Sequence, residues 1–167
     1  EMNILGWDMP RMFTFMVIGQ NIIKFGAIFL SLAALFILIG LKLAALGAPE
    51  HWRTVDFISD LHLTADEPLT FEAWERYLRA TPADAVVILG DLFEVWVGDD
   101  SAVPASFEDR CGRLLRAVSA SRALLFMRGN RDFLVGSEFL ARSGVHDLAD
   151  PTVLAFAGTR WLLTHGD

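Results

Sequence analysis

The chain has 167 residues, enough for one ordinary domain with a substantial core, and its 14 basic against 21 acidic residues give a formal charge of −7. That acidity argues against nucleic acid as a main partner, because phosphate backbones demand basic surface. The single cysteine, Cys111, excludes an internal disulfide and fits a reducing compartment.

The first element is apolar. Residues 12–48 hold two charges, Lys24 and Lys42, and between them FGAIFLSLAALFILIGL runs for 17 uncharged residues. As a helix this covers about 26 Å at ~1.5 Å per residue. The flanking lysines can snorkel, so the stretch predicts a membrane segment rather than a buried core helix, for which the rest of the chain offers little cover. It does not read as a secretory signal peptide. The apolar region is too long, and cleavage after Ala48 would have Leu46 at the third position before the cut and Pro49 after it. The charges around the segment do not set an orientation.

Composition changes near residue 49. Seven of the nine isoleucines and both lysines precede it, and all 11 later basic residues are arginine. Three basic and two acidic residues give about +1 before the boundary, whereas 11 basic and 19 acidic give −8 after it. Residues 1–48 are therefore expected to be a membrane-spanning or foreign leader, and residues 49–167 a separate domain.

In that domain VDFISDLHL (55–63) predicts a buried strand from Val55, Phe57 and Ile58, running into a loop at Asp60 and His62. TFEAWERYLRA (70–80) sets Phe71, Trp74, Tyr77 and Leu78 on one helical face. DAVVILGD (84–91) is too short and too β-branched for a helix and reads as a second strand. The next helix opens with Ser106 and Asp109 three apart, a capping-box variant, and repeats apolar residues at Cys111, Leu114, Leu115 and Val118. ALLFM (123–127) is a third strand, SEFLARSG a short helix stopped by Gly144, and VLAFAGTRWLLTHGD a hairpin turning at Gly158. His146 falls in a loop and reads as a surface histidine. The order predicts an α/β sheet.

Metal-capable residues close these strands: Asp60 and His62, then Asp91, then Asn130, then His165. In α/β sheets the C-terminal strand edge is where ligands bind, and Gly90, Gly129 and Gly166 beside these residues permit close backbone approach. Carboxylate, amide oxygen and imidazole together suit Mn²⁺, Fe²⁺ or Zn²⁺. Asp91 is placed to bridge two ions about 3.5–4 Å apart, the spacing that activates water and clamps a phosphoryl oxygen. Asp99 and Asp100 read as a solvated turn, and Trp96, Phe133 and Phe139 as core.

D-x-H, G-D, G-N-x-D and a strand-terminal H-G-D, in that order, resemble the calcineurin-like metallophosphoesterases. DLFEVWVGDD (91–100) and GNRDFLVG (129–136) look like the UDP-2,3-diacylglucosamine hydrolases (pyrophosphatases) of lipid A synthesis, with Arg131 where most of the superfamily has histidine. The resemblance covers residues 52–167 and implies a β-sandwich flanked by helices. It implies two Mn²⁺ ions, with Asp60 and His62 on the first, Asp91 bridging, and Asn130 and His165 on the second. It further implies that Asn130 and Arg131 contact substrate, and that Asn130, Arg131 and His165 form the catalytic set. The implied substrate is UDP-2,3-diacylglucosamine, cleaved to UMP and 2,3-diacylglucosamine 1-phosphate at the cytoplasmic face of the inner membrane. Arg131 offers a planar, permanently charged fork to phosphate; a surface ion pair with Asp132 is the plainer role for it. Asp132 itself is placed to orient that arginine or a ligand.

The family's closing G-H-x-H motif is not in these 167 residues. The expectation is a fragment whose ions each lack one imidazole, with exposed strand edges and uncovered apolar faces. The alternatives are another metallophosphoesterase, or a membrane-anchored product without catalysis.

Overall fold

The computed structural model describes residues 30–31 and 44–166. The chain divides into two units, Glu1–Leu43 and Ala44–Asp167. In the first, Leu30 and Ser31 are helical and exposed; the rest of the predicted membrane segment lies outside the described residues. Among the described residues no helix is long and apolar enough to cross a membrane.

The second unit alternates strands and helices: β1 (Ala44–Gly47), β2 (Val55–Ile58), α1 (Pro68–Ala80), β3 (Ala85–Leu89), α2 (Phe107–Ser119), β4 (Ala123–Met127), α3 (Ser137–Ser143), β5 (His146–Leu148), β6 (Thr152–Phe156) and β7 (Thr159–Leu163). They form a parallel four-stranded sheet, β2-β3-β4-β5, and a three-stranded sheet, β1-β6-β7. In the smaller sheet β1 runs parallel to β6, and β7 returns antiparallel.

Side chains of β3 alternate between two cores, as the period of a strand requires. Val86 and Ile88 enter a cluster with Phe71, Trp74, Leu78, Leu115 and Phe139 from the three helices. Ala85 and Val87 face Leu125, Met127, Leu154 and Leu163, the filling between the two sheets. Both faces of β3 are thus covered, which explains its unbroken apolar run. β2 is an edge strand, and this corrects the reading of Phe57 as buried: it is 42% exposed.

Local signals set the helices. Pro68 opens α1, where its missing N–H costs nothing. The Ser106 side chain accepts the Asp109 N–H at 3.1 Å and caps α2. Gly144, at φ 69°, closes α3 in the left-handed conformation. Ala157 and Gly158, both at positive φ, make the two-residue turn between β6 and β7.

Two strands depart from the sequence reading. β1 uses Ala44–Gly47, ahead of the compositional boundary. β5 contains His146, which therefore lies in a strand paired with β4 (Leu125 opposite His146) and not in a loop, although it is exposed as expected. On β7 only Leu163 is buried; Trp161 is 49% and Leu162 63% exposed.

Candidate metal and phosphate site

The loops that leave β2 and β3 run side by side. The Asp60 N–H donates to the Gly90 carbonyl (3.2 Å), His62 N–H to Asp91 (3.0 Å), and Leu63 N–H to Leu92 (2.8 Å). Leu63 and Phe93, 3% and 1% exposed, form a bridge that anchors the pair. Asp60, His62 and Asp91 all adopt positive φ, at 55°, 48° and 52°. Left-handed backbone on three non-glycine residues in one site costs of order 1–3 kcal/mol each, and such conformations gather at functional sites.

The third loop is tied to these by Asp132. Its carboxylate is fully buried and accepts four backbone N–H groups: Gly129 (2.8 Å) and Asp91 (3.3 Å) on Oδ1, Leu92 (2.8 Å) and Phe93 (3.4 Å) on Oδ2. Burial pushes the Asp132 carboxyl up from its ordinary range, while the four donors pull it down. Asp132 therefore joins the β3 and β4 loops. It does not pair with Arg131, whose guanidinium lies 3.4 Å from Glu94.

His165 comes from the other sheet. A single α/β sheet, as the element order predicts, would put all these strand ends on one edge; the structure builds the edge from two sheets, because the β6–β7 hairpin belongs to the smaller one. His165 Nδ1 bonds the Leu89 carbonyl (2.8 Å), leaving Nε2 directed to Asp91 Oδ1 at 3.7 Å. On the other side His62 Nδ1 bonds Glu94 Oε2 (2.9 Å) and its Nε2 lies 3.9 Å from Asp91 Oδ2 and 4.0 Å from Asp60 Oδ1. Each oxygen of one buried carboxylate thus faces a different imidazole. Asp60, Asp91 and His165 bring one donor atom each within 4.8 Å of one another. This donor set fits a divalent cation: it is oxygen and imidazole, and both rings are held through Nδ1 with Nε2 turned inward.

Asn130 and Arg131 lie exposed in the β4 loop, whose Arg131 N–H donates to Asp91 Oδ1 at 2.9 Å. An ideal Cβ on Gly90 would come 2.4 Å from His165 Nδ1, so that glycine is needed for the close approach; Gly166 has open space around it. Trp96 and Phe139 are core, as expected, but Phe133 is not: it is 61% exposed. Asp99 is not a solvated turn: its oxygens accept the Gly136 and Phe139 N–H groups, both at 2.8 Å, at the start of α3.

Two contributors were not assigned from the sequence. The Leu89 carbonyl could not be, since backbone groups carry no sequence mark. Glu94 could have been, because it follows Asp91 by three residues in the same strand-end loop.

A family profile described as calcineurin-like phosphoesterase matches residues 53–167. The chain is 46% identical over 115 residues to the UDP-2,3-diacylglucosamine hydrolase of Ralstonia nicotianae, covering 68% of this chain and 43% of that protein. It is 45% identical over 113 residues to the enzyme of the same name from Stutzerimonas stutzeri, covering 66% and 46%. The chain thus spans about half the length of the curated relatives it matches. A crystal structure of Pseudomonas putida nuclease MPE aligns with a TM-score of 0.44 at 20% identity, over 59% of this chain and 48% of that one.

Proposed function

The chain belongs to the calcineurin-like phosphoesterase family, and on that premise we propose that it carries the metal-binding strand edge of a hydrolase acting on UDP-2,3-diacylglucosamine. The reaction is cleavage of the pyrophosphate bond to UMP and 2,3-diacylglucosamine 1-phosphate, as in lipid A biosynthesis. The observation that carries this reading is Asp91, whose two oxygens face the Nε2 atoms of His165 and His62 at 3.7 and 3.9 Å.

In this reading Asp60 and His62 would hold one Mn²⁺ ion and Asn130 and His165 a second, with Asp91 shared between the two sets. When bound, such a pair supplies an activated water and neutralises charge on phosphoryl oxygens. Asp91 stays in place because its Oδ1 accepts the Arg131 N–H and its backbone is tied to Asp132. Arg131, on the site rim, offers its guanidinium to a phosphate oxygen beside Asn130. Phe133 and Leu134, 61% and 48% exposed on the same loop, support a substrate with apolar chains taken from a membrane surface. We place that surface at the cytoplasmic face of the inner membrane.

The test is release of UMP from UDP-2,3-diacylglucosamine by the full-length protein, with and without Mn²⁺. Manganese-dependent UMP release supports the reading. Hydrolysis of a simple phosphodiester such as bis-p-nitrophenyl phosphate with no turnover of the lipid substrate would assign the site to another phosphoesterase reaction.

A further inference from the structure

Glu94 touches two side chains that the proposed reaction uses, and it does so with different oxygens. Oε2 lies 2.9 Å from His62 Nδ1, and Oε1 lies 3.4 Å from Arg131 Nη1. We infer that Glu94 is a positioning residue that couples the metal-holding His62 to the phosphate-holding Arg131. This inference rests on the reading proposed above.

The geometry gives each contact a direction. A histidine that donates its Nδ1 proton to a carboxylate presents the Nε2 lone pair outward, and the carboxylate makes the ring a better ligand. His62 Nε2 is directed toward Asp60 and Asp91, 4.0 and 3.9 Å away. Arg131, by contrast, is a long side chain on a different loop, and its side chain is 53% exposed. An ion pair at one guanidinium nitrogen restricts its rotamers while the fork keeps further donors for phosphate.

Glu94 is itself held. Its N–H donates to the Leu63 carbonyl at 3.2 Å, one residue beyond His62, next to the bridge between Leu63 and Phe93. The backbone that presents the carboxylate is therefore clamped to the backbone that presents the imidazole. A surface ion pair without function would contribute little and touch one partner. Glu94 instead spans two loops and joins the two poles of the site.

The test uses the full-length protein with Glu94→Ala, Glu94→Gln and, as a control, Asp91→Asn. Mn²⁺ affinity is read by EPR titration without substrate, and kcat and KM are read separately. Glu94→Ala should weaken Mn²⁺ binding about 10-fold and raise KM, with the melting temperature unchanged because the side chain is half exposed. In Glu94→Gln the amide oxygen still accepts from His62, but its NH₂ faces Arg131, so Mn²⁺ affinity should stay near wild type while KM rises. That split is not expected of a merely structural residue. Wild-type Mn²⁺ affinity and KM in Glu94→Ala would overturn the inference, and so would equal losses of metal affinity in the two Glu94 variants. If Asp91→Asn keeps wild-type Mn²⁺ affinity, the metal reading itself fails. If it loses metal while Glu94→Ala does not, only the role of Glu94 fails.

Discussion

A Cβ atom placed on Gly129 would lie 2.1 Å from Oδ1 of Asp91. The same atom would lie 2.5 Å from the Asp91 backbone nitrogen, so no rotamer change at Asp91 relieves the clash. Gly129→Ala must push the β3 and β4 loops apart. A displacement of about 1 Å in a catalytic site costs roughly 100-fold in rate. We expect a loss of that order in kcat/KM, together with weaker Mn²⁺ binding. Wild-type kinetics in Gly129→Ala would show that the two loops do not need this separation.

Asp132→Asn tests the same joint from the other side. Each Asp132 oxygen accepts two backbone N–H groups, so an amide in either orientation points its NH₂ at two donors. Leaving buried donors unpaired costs about 1–3 kcal/mol each, offset in part by relaxation. We expect destabilisation of about 2–4 kcal/mol by urea denaturation, read from the midpoint at constant slope. Because Asp132 also sets the loops carrying Asp91 and Asn130, metal affinity should fall in the same variant. A stable Asp132→Asn protein with intact metal binding would refute the linkage.

What the residues revealed in advance depended on how local the cause was. β3 was legible because Val86, Val87 and Ile88 are β-branched and buried on both faces. The Ser106 cap was legible because donor and acceptor are three residues apart. β1 and β5 were not: AALG and HDL carry no strand propensity and take their conformation from pairing with β6 and β4. The capping role of Asp99 was hidden for the same reason, since its partners Gly136 and Phe139 lie 37 and 40 residues away. At the site, the residue types and their strand-end positions were readable. The crossing of His165 from the second sheet was not, because it follows from how the hairpin packs.

Asp91→Asn, in the full-length protein, should abolish turnover. Asn keeps one oxygen and turns an NH₂ toward an imidazole Nε2, so neither His62 nor His165 retains a shared carboxylate between them. The side chain is nearly buried, and Arg131 N–H still requires an acceptor at Oδ1; the amide oxygen takes that place, and the NH₂ then faces His62. Metal content measured by mass spectrometry should drop with activity. Near-wild-type Mn²⁺ dependence in this variant would show the bridging assignment to be wrong.

The last prediction concerns alkaline pH. Cys111 on α2 is fully buried, and burial pushes its thiol up to about 12, against about 8.5 for a free thiol. Burial also raises the Tyr77 phenol, helped by its hydrogen bond to Asp56 at 2.8 Å. Both groups ionise earlier in the unfolded chain than in the folded one, so above the unfolded pKa values the native state binds more protons. Stability is then complete below about pH 8.5 and falls as pH rises toward 12. Tyr77→Phe should be less stable at pH 7, having lost the Asp56 bond, yet show a shallower decline between pH 9 and 11. Cys111 should resist iodoacetamide at pH 8 in the folded protein and react on addition of urea. Rapid alkylation under native conditions, or a flat stability profile from pH 8 to 11, would show that α2 does not seal Cys111 from water.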